Sequence, residues 1–452
     1  MDLDEKKDFN KQLMSLAVPL AVQNLLTSLV GASDALMLGR LTQDAIAAVS
    51  LANQVSFVMS LFYGATVVAA SVLVSQYWGK GDYLNVRRFL AMSIRYAVGI
   101  GVVFTLGAFF FAEQIIGILS PEQELIRIGS EYLRIVCFSF VLTAVLSSFL
   151  MIMKVSGHAK LSVWISVVTV TVDMAADFFL IYGFGKIPAL GANGSAYSTI
   201  VVEIIALTWC VIWTQRNEKI RIEKDTLFYF SKEYERDMWK IIPGMLASSL
   251  SWGLSITMHS FILGHLGTDA TAAASVTTVA QQLIQGLTHG FATGIGIMIG
   301  QLLGRNELDK AKRYGARSWK VTLLLGIINV GLVCIVGPLV YIFYVLEPQA
   351  KQYLVQMLIF LAFYMFAFAY NTIFTCGVFP AGGDSIYDGI SVLIATWCFA
   401  IPLALIACFV LHLPVMVIYV VMCLDEIVKV PFIKWRYNKY IWLKNLTKET
   451  AG

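Results

Sequence analysis

The chain has 452 residues, of which 58% are hydrophobic and 14% charged, and its formal net charge at pH 7 is +4. Soluble globular proteins carry roughly 25% charged residues, so this composition excludes a soluble domain of this length. The small positive charge does not indicate a nucleic-acid partner, and we expect none.

Apolar runs of about 20 residues, each long enough to cross a hydrocarbon core of about 30 Å, recur along the whole chain. So many runs predict an all-α polytopic membrane protein, because lipid forces each spanning segment to pair its backbone polar groups internally. We expect no cleavable signal peptide, since residues 1–12 are polar and the first run is too long for one. The twelve predicted spans are 13–38, 46–74, 89–112, 132–153, 161–182, 192–213, 241–265, 272–303, 321–345, 353–378, 386–411 and 415–433.

Positive charge is concentrated on one side of the predicted membrane. When the N-terminus is cytoplasmic and the spans alternate, about 26 of the 33 Lys and Arg residues fall in cytoplasmic segments. Cytoplasmic loops carry such an excess. We therefore expect both termini in the cytoplasm and a location in the cytoplasmic (inner or plasma) membrane.

Carboxylates inside spans are costly unless they are paired or hydrated, so each is a candidate functional group. Asp34 lies in the first span, fifteen residues after Pro19, and Glu203 lies in the sixth. Asp173 and Asp177 lie one turn apart in the fifth span, where they repel each other, so at least one is expected to take up a proton or share a cation. For Glu203 a structural role is as well supported as a functional one.

The second half of the chain carries a different set of polar groups. Asp425 and Glu426 lie in the last span with Lys429 three to four residues later. This spacing favours an internal ion pair, with a second coupling site as the alternative. His259 in the seventh span titrates near neutral pH in water, but an isolated histidine in a helix more often packs through a hydrogen bond.

Five glycines at overlapping spacings lie in the eighth predicted span or directly after it. Small residues at these intervals indicate close contact between membrane helices. A phosphate-binding loop would require a preceding strand and a solvated helix start, and neither is predicted. The glycines of this set are Gly290, Gly294, Gly296, Gly300 and Gly304.

The chain contains an internal repeat. A shift of 225 positions places residues 38–41 (LGRL) on 263–266 (LGHL), and Gln76, Gly79, Arg88 and Ser93 then fall on identical residues. Six spans per copy is an even number, so the copies must be parallel, as in several transporter folds. We predict two six-helix lobes, 1–213 and 241–452, joined by a charged cytoplasmic linker, 214–240.

The same shift compares the intramembrane charges of the two halves. It places Asp34 on His259, Asp173 on Cys398 and Asp177 on Pro402. This comparison predicts that the carboxylate set belongs to the N-terminal half alone, and that any cation chemistry lies there.

No motif for catalysis or nucleotide binding stands out in the sequence. There is no GxSxG, Walker A or HExxH pattern, and the seven cysteines lie within apolar spans without metal-ligand spacing. We therefore expect a protein that is not an enzyme, has no cofactor and draws its energy from an ion gradient. A membrane-embedded enzyme or receptor remains a less favoured alternative.

Several motifs, in chain order, resemble the multidrug and toxic compound extrusion (MATE) family along nearly the whole chain. Each motif alone is weak, and the ordered set together with twelve spans and a half-length repeat is specific. The matching segments are Pro19, Asp34 and 38–41 (LGRL) in helix 1, 76–82 (QYWGKGD), 301–306 (QLLGRN), 173–183, 191–199 (GANGSAYST) and 382–384 (GGD).

The resemblance implies a secondary antiporter that exports organic cations in exchange for H⁺ or Na⁺. Members that couple through the first lobe have carboxylates matching Asp34 and Asp177, a helix-1 proline matching Pro19 and a threonine matching Thr199. Asp173 departs from the family pattern, which has asparagine there. Another subgroup couples through a glutamate in helix 7, where this chain has Ser251.

These observations predict a first-lobe cation site for H⁺ or Na⁺ at Asp34, Asp173 and Asp177. We expect Asn193, Ser195 or Thr199 to support this site, and Pro19 to give helix 1 a point of bending. The expected partners are small organic cations and the lipid bilayer, and the protein is expected to be a monomer. The alternative is a flippase for lipids or lipid-linked oligosaccharides, which the acidic intramembrane balance disfavours.

Overall fold

The computed structural model describes residues 3–183, 188–344 and 346–448, except for the side chains of residues 28–32, 34–36 and 39. Helices account for almost all of this length. The fifteen helices of the described residues are α1 Leu3–Gly39, α2 Gln43–Lys80, α3 Tyr83–Phe110, α4 Ala112–Leu119, α5 Gln123–Val155, α6 Ala159–Tyr182, α7 Ala192–Arg216, α8 Lys224–Leu227, α9 Lys232–Gly264, α10 Thr268–Gly304, α11 Leu308–Phe343, α12 Pro348–Ala381, α13 Ser385–Val410, α14 Val415–Met422 and α15 Leu424–Asn438.

The predicted twelve-span, all-α architecture is confirmed. Ten of the described helices are long and apolar enough to cross a membrane. Helix α1 and the α14–α15 pair supply the first and last spans. Most helices extend beyond the predicted apolar runs, because polar residues at their ends continue the helix outside the hydrocarbon region. The predicted linker 214–240 contains α8 and the first turns of α9.

Glycine and capping residues explain the motif at 76–82. Gly81 adopts the left-handed conformation (φ 81°) that ends α2, and the Asp82 carboxylate accepts a hydrogen bond from the Asn85 N–H at the start of α3. In the second copy Asn306 takes the left-handed position (φ 61°) between α10 and α11. The motif is thus a tight helix-to-helix connection that each half repeats.

The chain forms two compact units, Leu25–Glu235 and a second one made of Met1–Asn24 with Arg236–Gly452. This division differs from the predicted lobe 1–213, because the first part of α1 packs with the second unit. A Cβ at Gly290 of α10 would lie 2.5 Å from the Ala21 nitrogen, so only glycine permits this approach. Gly294 faces Ala17 in the same interface. Gly290 and Gly294 of α10 thus make the kind of close helix contact that was predicted for this set.

The described part of the second unit departs from regular α-helix in three π-helical stretches and one turn. Helix α12 contains a π-helical stretch at Ile373–Val378, and α13 contains others at Leu393–Ala400 and Ile406–Val410. A turn at Cys423 separates α14 from α15. In a membrane protein such segments occur where they are buried in protein or line a cavity.

Candidate functional site

A polar cavity of about 400 Å³ lies within the Leu25–Glu235 unit, among α1, α2, α5, α6 and α7. Its volume is in the range of small-ligand sites. Hydroxyl and amide side chains and two carboxylates make up most of its polar wall. These residues are Thr27, Asn53, Ser56, Tyr63, Tyr132, Ser139, Thr143, Ser166, Thr169, Asp173, Thr199 and Glu203.

The close contact between α6 and α7 positions Asp173. A Cβ at Gly194, in the first turn of α7, would lie 2.6 Å from the Leu180 carbonyl of α6, so glycine allows the two helices to meet. One turn later, the buried Ser198 hydroxyl donates to the Asp173 Oδ1 at 3.0 Å. Asp173 is 8% exposed and lies at the cavity wall. Its carboxylate is therefore held in place by a neighbouring helix.

Glu203 is the second carboxylate of the cavity. Both of its oxygens lie within hydrogen-bond reach of the Thr143 hydroxyl of α5, at 2.6 and 2.7 Å. Glu203 lines the same polar cavity as Asp173.

The other predicted residues of the first half fall in different places. Thr199 lines the cavity and donates to the Ser195 carbonyl at 3.0 Å. Asp177 is 1% exposed and lies one turn beyond Asp173 on α6, outside the lining set. Asn193 and Ser195 lie in the first turn of α7, near Gly194 and away from the lining set.

Two predicted residues lie on α1. Asp34 belongs to this helix, and its side chain lies outside the described residues. Pro19 lies in the part of α1 that belongs to the second unit, and α-helix continues through it. The proposed bend at Pro19 therefore stays a prediction.

The electrostatics of the cavity are one-sided. Among the described residues that line it there are two carboxylates and neither Lys nor Arg. Two anions in a site that lipid and protein shield from water are stable only when a proton or another cation compensates them. The arrangement can therefore bind a proton, a metal cation with oxygen ligands, or an organic cation.

A second polar cavity, of about 230 Å³, lies within the Arg236–Gly452 part of the chain. Asp425 and Glu426 line it together with Lys429, and the Lys429 ammonium contacts the Glu426 carboxylate at 2.5 Å. The predicted internal ion pair is present. Asp388 of α13 lines the same cavity.

The set of Asp34, Asp173 and Asp177 has no carboxylates at the corresponding positions of the second half, but the second half has a carboxylate cluster of its own. A comparison at fixed register tests only the positions that hold a carboxylate in the first half, and Asp388 falls on Val163. The signal in the sequence that identifies Asp388 is its place inside the eleventh predicted span. Thr143 and Tyr63 were also missed, because a hydroxyl in an apolar run gives no indication of its partner.

His259 lies on α9, outside both cavities. Its Nε2 is buried and has no hydrogen-bond partner among the described residues. The structure therefore does not bring it together with the carboxylates of either cavity.

Known proteins resemble this chain over nearly its full length. The probable multidrug resistance protein YoeA of Bacillus subtilis is 23% identical over 441 residues, which cover 94% of this chain and 93% of that protein. The multidrug resistance protein PmpM of Pseudomonas aeruginosa is 21% identical over 87% of this chain and 82% of its own length.

Solved structures share the fold. A transporter of the MOP superfamily from Pyrococcus furiosus superposes with a TM-score of 0.87 at 16% identity, over 96% of each chain. An outward-facing multidrug resistance MATE transporter gives a TM-score of 0.87 at 17% identity, also over 96% of each chain.

The MatE family model matches residues 19–179 and, a second time, residues 243–406. The two matches cover more than half of the chain and reproduce the internal repeat. The chain is therefore a multi-pass membrane protein that belongs to the MATE family of transporters.

Proposed function

We propose that this protein exports organic cations across the cytoplasmic membrane in exchange for H⁺ or Na⁺, with both termini in the cytoplasm. The observation that carries the proposal is the cavity of the Leu25–Glu235 unit, which has Asp173 and Glu203 in its wall and neither Lys nor Arg among its described lining residues. Relatives named as multidrug resistance proteins support the substrate class.

Exchange follows from competition for one set of negative charges. When Asp173 and Glu203 are ionised, the cavity attracts an organic cation, and aromatic side chains such as Tyr63 and Tyr132 offer flat surfaces to it. When protons or Na⁺ neutralise the carboxylates, the attraction disappears and the substrate leaves. A coupling free energy of about 1–3 kcal/mol between ion and substrate is sufficient for such exchange.

Asp34, Asp177 and Thr199 complete the proposed site. Asp34 and Asp177 match family carboxylates, and Thr199 offers its hydroxyl oxygen at the cavity wall. In this mechanism their neutralisation bends α1 near Pro19, where the missing N–H removes one helical hydrogen bond.

Transport of ethidium into inside-out vesicles tests the proposal, with a pH gradient or a Na⁺ gradient imposed separately. We expect one gradient to drive accumulation in the wild type, and Asp173→Asn and Glu203→Gln each to lower the initial rate at least about tenfold, because each removes a charge that holds the cation. Glu131→Gln, which neutralises an exposed carboxylate on α5, is the matched control.

Each outcome has a definite meaning. Accumulation driven by one gradient and lost in both cavity variants supports antiport and identifies the ion. Wild-type rates in Asp173→Asn and Glu203→Gln, with normal amounts of protein in the membrane, would contradict the assignment of this cavity. Asp34→Asn and Asp177→Asn then test the two residues that the resemblance contributes.

A further inference from the structure

The linker that follows α7 is tied to α3 by arginine side chains. The Arg87 Nε donates to the Lys219 carbonyl at 3.2 Å. Further along α3, the Arg88 guanidinium carbon lies 4.0 Å from the centre of the Tyr229 ring. Arg95, two turns later, makes the largest number of contacts with the linker. The linker thus runs along the surface of α3.

Arg95 binds backbone oxygens of the linker. Its Nη1 donates to the Leu227 and Tyr229 carbonyls at 2.7 and 2.8 Å, and its Nη2 lies 3.5 Å from a carboxylate oxygen of Glu235. The Tyr96 hydroxyl donates to the other oxygen of the same carboxylate. Arginine presents its donors in a rigid fork, so these contacts fix where the linker lies against α3.

The backbone N–H groups of the same place are paired as well. Residues 227–231 (LFYFS) form what we call the aromatic segment. The N–H groups of residues 227, 228 and 229 donate to carbonyls three or four residues earlier, at 3.0, 3.2 and 3.3 Å. An irregular segment enters the lipid region only when its backbone polar groups are satisfied within the protein. The aromatic segment meets this condition at three N–H groups and, through Arg95, at two carbonyls.

The phenylalanine side chains of the aromatic segment point away from the protein. Phe228 and Phe230 are each 70% exposed, whereas Tyr229 between them is turned toward α3 and is 37% exposed. The centre of the Phe230 ring lies 4.4 Å from the Arg95 guanidinium carbon. Two phenylalanine rings that a fixed backbone holds outward form an apolar patch, and such patches mark interaction sites.

The position of Arg95 places this patch at the boundary of the membrane. Arg95 lies six residues inside the third predicted span, 89–112, which is about 9 Å along the helix axis. From such a position an arginine side chain extends back toward the polar region. Its guanidinium, and the Phe230 ring against it, therefore lie in the interfacial region, where aromatic side chains are enriched.

The patch is continuous with the lipid-facing surface of α3. Val98, Val102 and Leu106 are 38%, 41% and 51% exposed. They follow Arg95 at intervals of three, four and four residues, which keeps all of them on one face of the helix. Phe230 thus extends this apolar face beyond Arg95, on the side of the linker.

The charges around the aromatic segment are balanced. Lys224 and Lys232 flank it and are exposed, and cations in this position attract phosphate headgroups. The acidic residues Asp225 and Glu233 lie beside them and are exposed too. The aromatic rings, rather than a net positive charge, must therefore supply the affinity for a membrane.

We propose that the aromatic segment inserts Phe228 and Phe230 into the leaflet that it faces, which is the cytoplasmic one in the proposed orientation. Arg95 is the positioning residue, because it binds the carbonyls that would otherwise need water. The partner of this surface is the lipid bilayer itself. The linker between the two halves of the repeat is then a membrane-bound element, and this conclusion does not depend on the export function.

Photo-crosslinking tests this placement. The photoreactive residue p-benzoylphenylalanine replaces Phe228 or Phe230 in the full-length protein, which is reconstituted into phosphatidylcholine vesicles with or without phosphatidylglycerol. Its excited ketone inserts into nearby C–H bonds, so a lipid contact adds the mass of one phospholipid. We expect adducts in both kinds of vesicle, with yields within about threefold of the same probe at Val102 and at least about tenfold above the probe at Asp309, an exposed residue of α11.

Two arginine variants separate the role of Arg95 from a general effect on the linker. Arg95→Ala should lower the adduct yield at Phe230 at least about fivefold, because the freed carbonyls draw the segment toward water. The yield at the reference position on α3 should not change. Arg87→Ala is the matched control, since it removes only bonds to carbonyls near the start of the linker, and it should leave the yield at Phe230 unchanged.

Two results would overturn the proposal. One is adducts at Phe228 and Phe230 that are no more frequent than at Asp309 while Val102 forms them. The other is a covalent dimer in place of the lipid adduct, because the patch would then be an interface between copies of the chain. Equal losses in Arg95→Ala and Arg87→Ala would overturn the role of Arg95. The adducts of the protein with Arg95 in place test the insertion even where Arg95→Ala fails to fold.

Discussion

The two polar cavities occupy corresponding helices of the repeat but differ in whether they contain their own cation. In the Leu25–Glu235 unit, Asp173 and Glu203 lie on the fifth and sixth spans with neither Lys nor Arg in the described wall. In the other unit, Asp388 and Asp425 lie on the eleventh and twelfth spans, which correspond to these two, and Lys429 pairs with Glu426.

Corresponding positions do not carry corresponding charges. At the shift of 225, Glu203 falls on Val428, Asp425 on Ile200 and Asp388 on Val163. The same pair of helices thus meets at the cavity in each half of the repeat, but the carboxylates occur at different positions on those helices. The described wall of the first cavity contains no cation, whereas in the second cavity Lys429 compensates one of three carboxylates.

The largest difference between the cavities is expected when a charge is removed without its partner. Lys429→Met leaves Glu426, Asp388 and Asp425 without a counter-ion, which should lower the free energy of unfolding by about 3–5 kcal/mol. Glu203→Gln should leave stability unchanged or raise it, because it removes a carboxylate from a wall without cations. Unfolding midpoints of the purified proteins in one detergent measure both effects.

The double variant Glu426→Gln with Lys429→Met is the control for this pair. It removes both members, so most of the lost stability should return. Equal midpoints for Lys429→Met and the wild type would show that the pair is unimportant, and the contrast between the cavities would then rest on Asp388 and Asp425 alone.

The span architecture was predictable because the length and polarity of an apolar run are local properties of the sequence. Which other helix a given helix packs against is not a local property of the sequence. The apolar pattern of α1 does not reveal that its first part joins the second unit, since this depends on the contact of Ala21 with Gly290. Similarly, Thr143 and Glu203 are 60 residues apart, and only the packing of α5 against α7 brings them together.

The candidate site was predicted in part. Asp173 and Thr199 were identified from the cost of burying charge and from family motifs, and both line the cavity. Asp177 was identified by the same reasoning but lies outside the lining set. The spacing of two residues along a helix does not show which face of that helix lines a cavity. Asp388 was missed because the halves were compared position by position rather than helix by helix.

The close helix contacts offer a test of what the two cavities share. Gly194→Ala would place a Cβ 2.6 Å from the Leu180 carbonyl, and Gly244→Ala would place one 2.6 Å from the Ser385 carbonyl. Each substitution should lower the free energy of unfolding by about 1–3 kcal/mol, because the helices must move apart. It should also weaken the contact that orients Asp173 or Asp388.

Gly99→Ala on α3 is the matched control, since a Cβ there meets nothing within 4 Å. It should be neutral or stabilising, as alanine favours helix over glycine by up to about 1 kcal/mol. Unfolding midpoints that fall equally in all three variants would show that glycine flexibility, rather than close contact, matters at these positions.

The smallest expected effect compares the hydroxyl groups that hold one carboxylate in each cavity. Thr143→Val removes a donor 2.6 Å from Glu203, whereas Thr396→Val removes one 3.3 Å from Asp425. Valine preserves the shape, so the loss should reflect the hydrogen bond: about 1.5 kcal/mol for Thr143 and roughly half of that for the longer contact. Thr171→Val, which removes only a bond to the Val167 carbonyl, is the reference for the substitution itself. A larger loss of stability at Thr396 than at Thr143 would reverse this ranking and would mean that the carboxylates of the second cavity depend more on their hydroxyl donors than on Lys429.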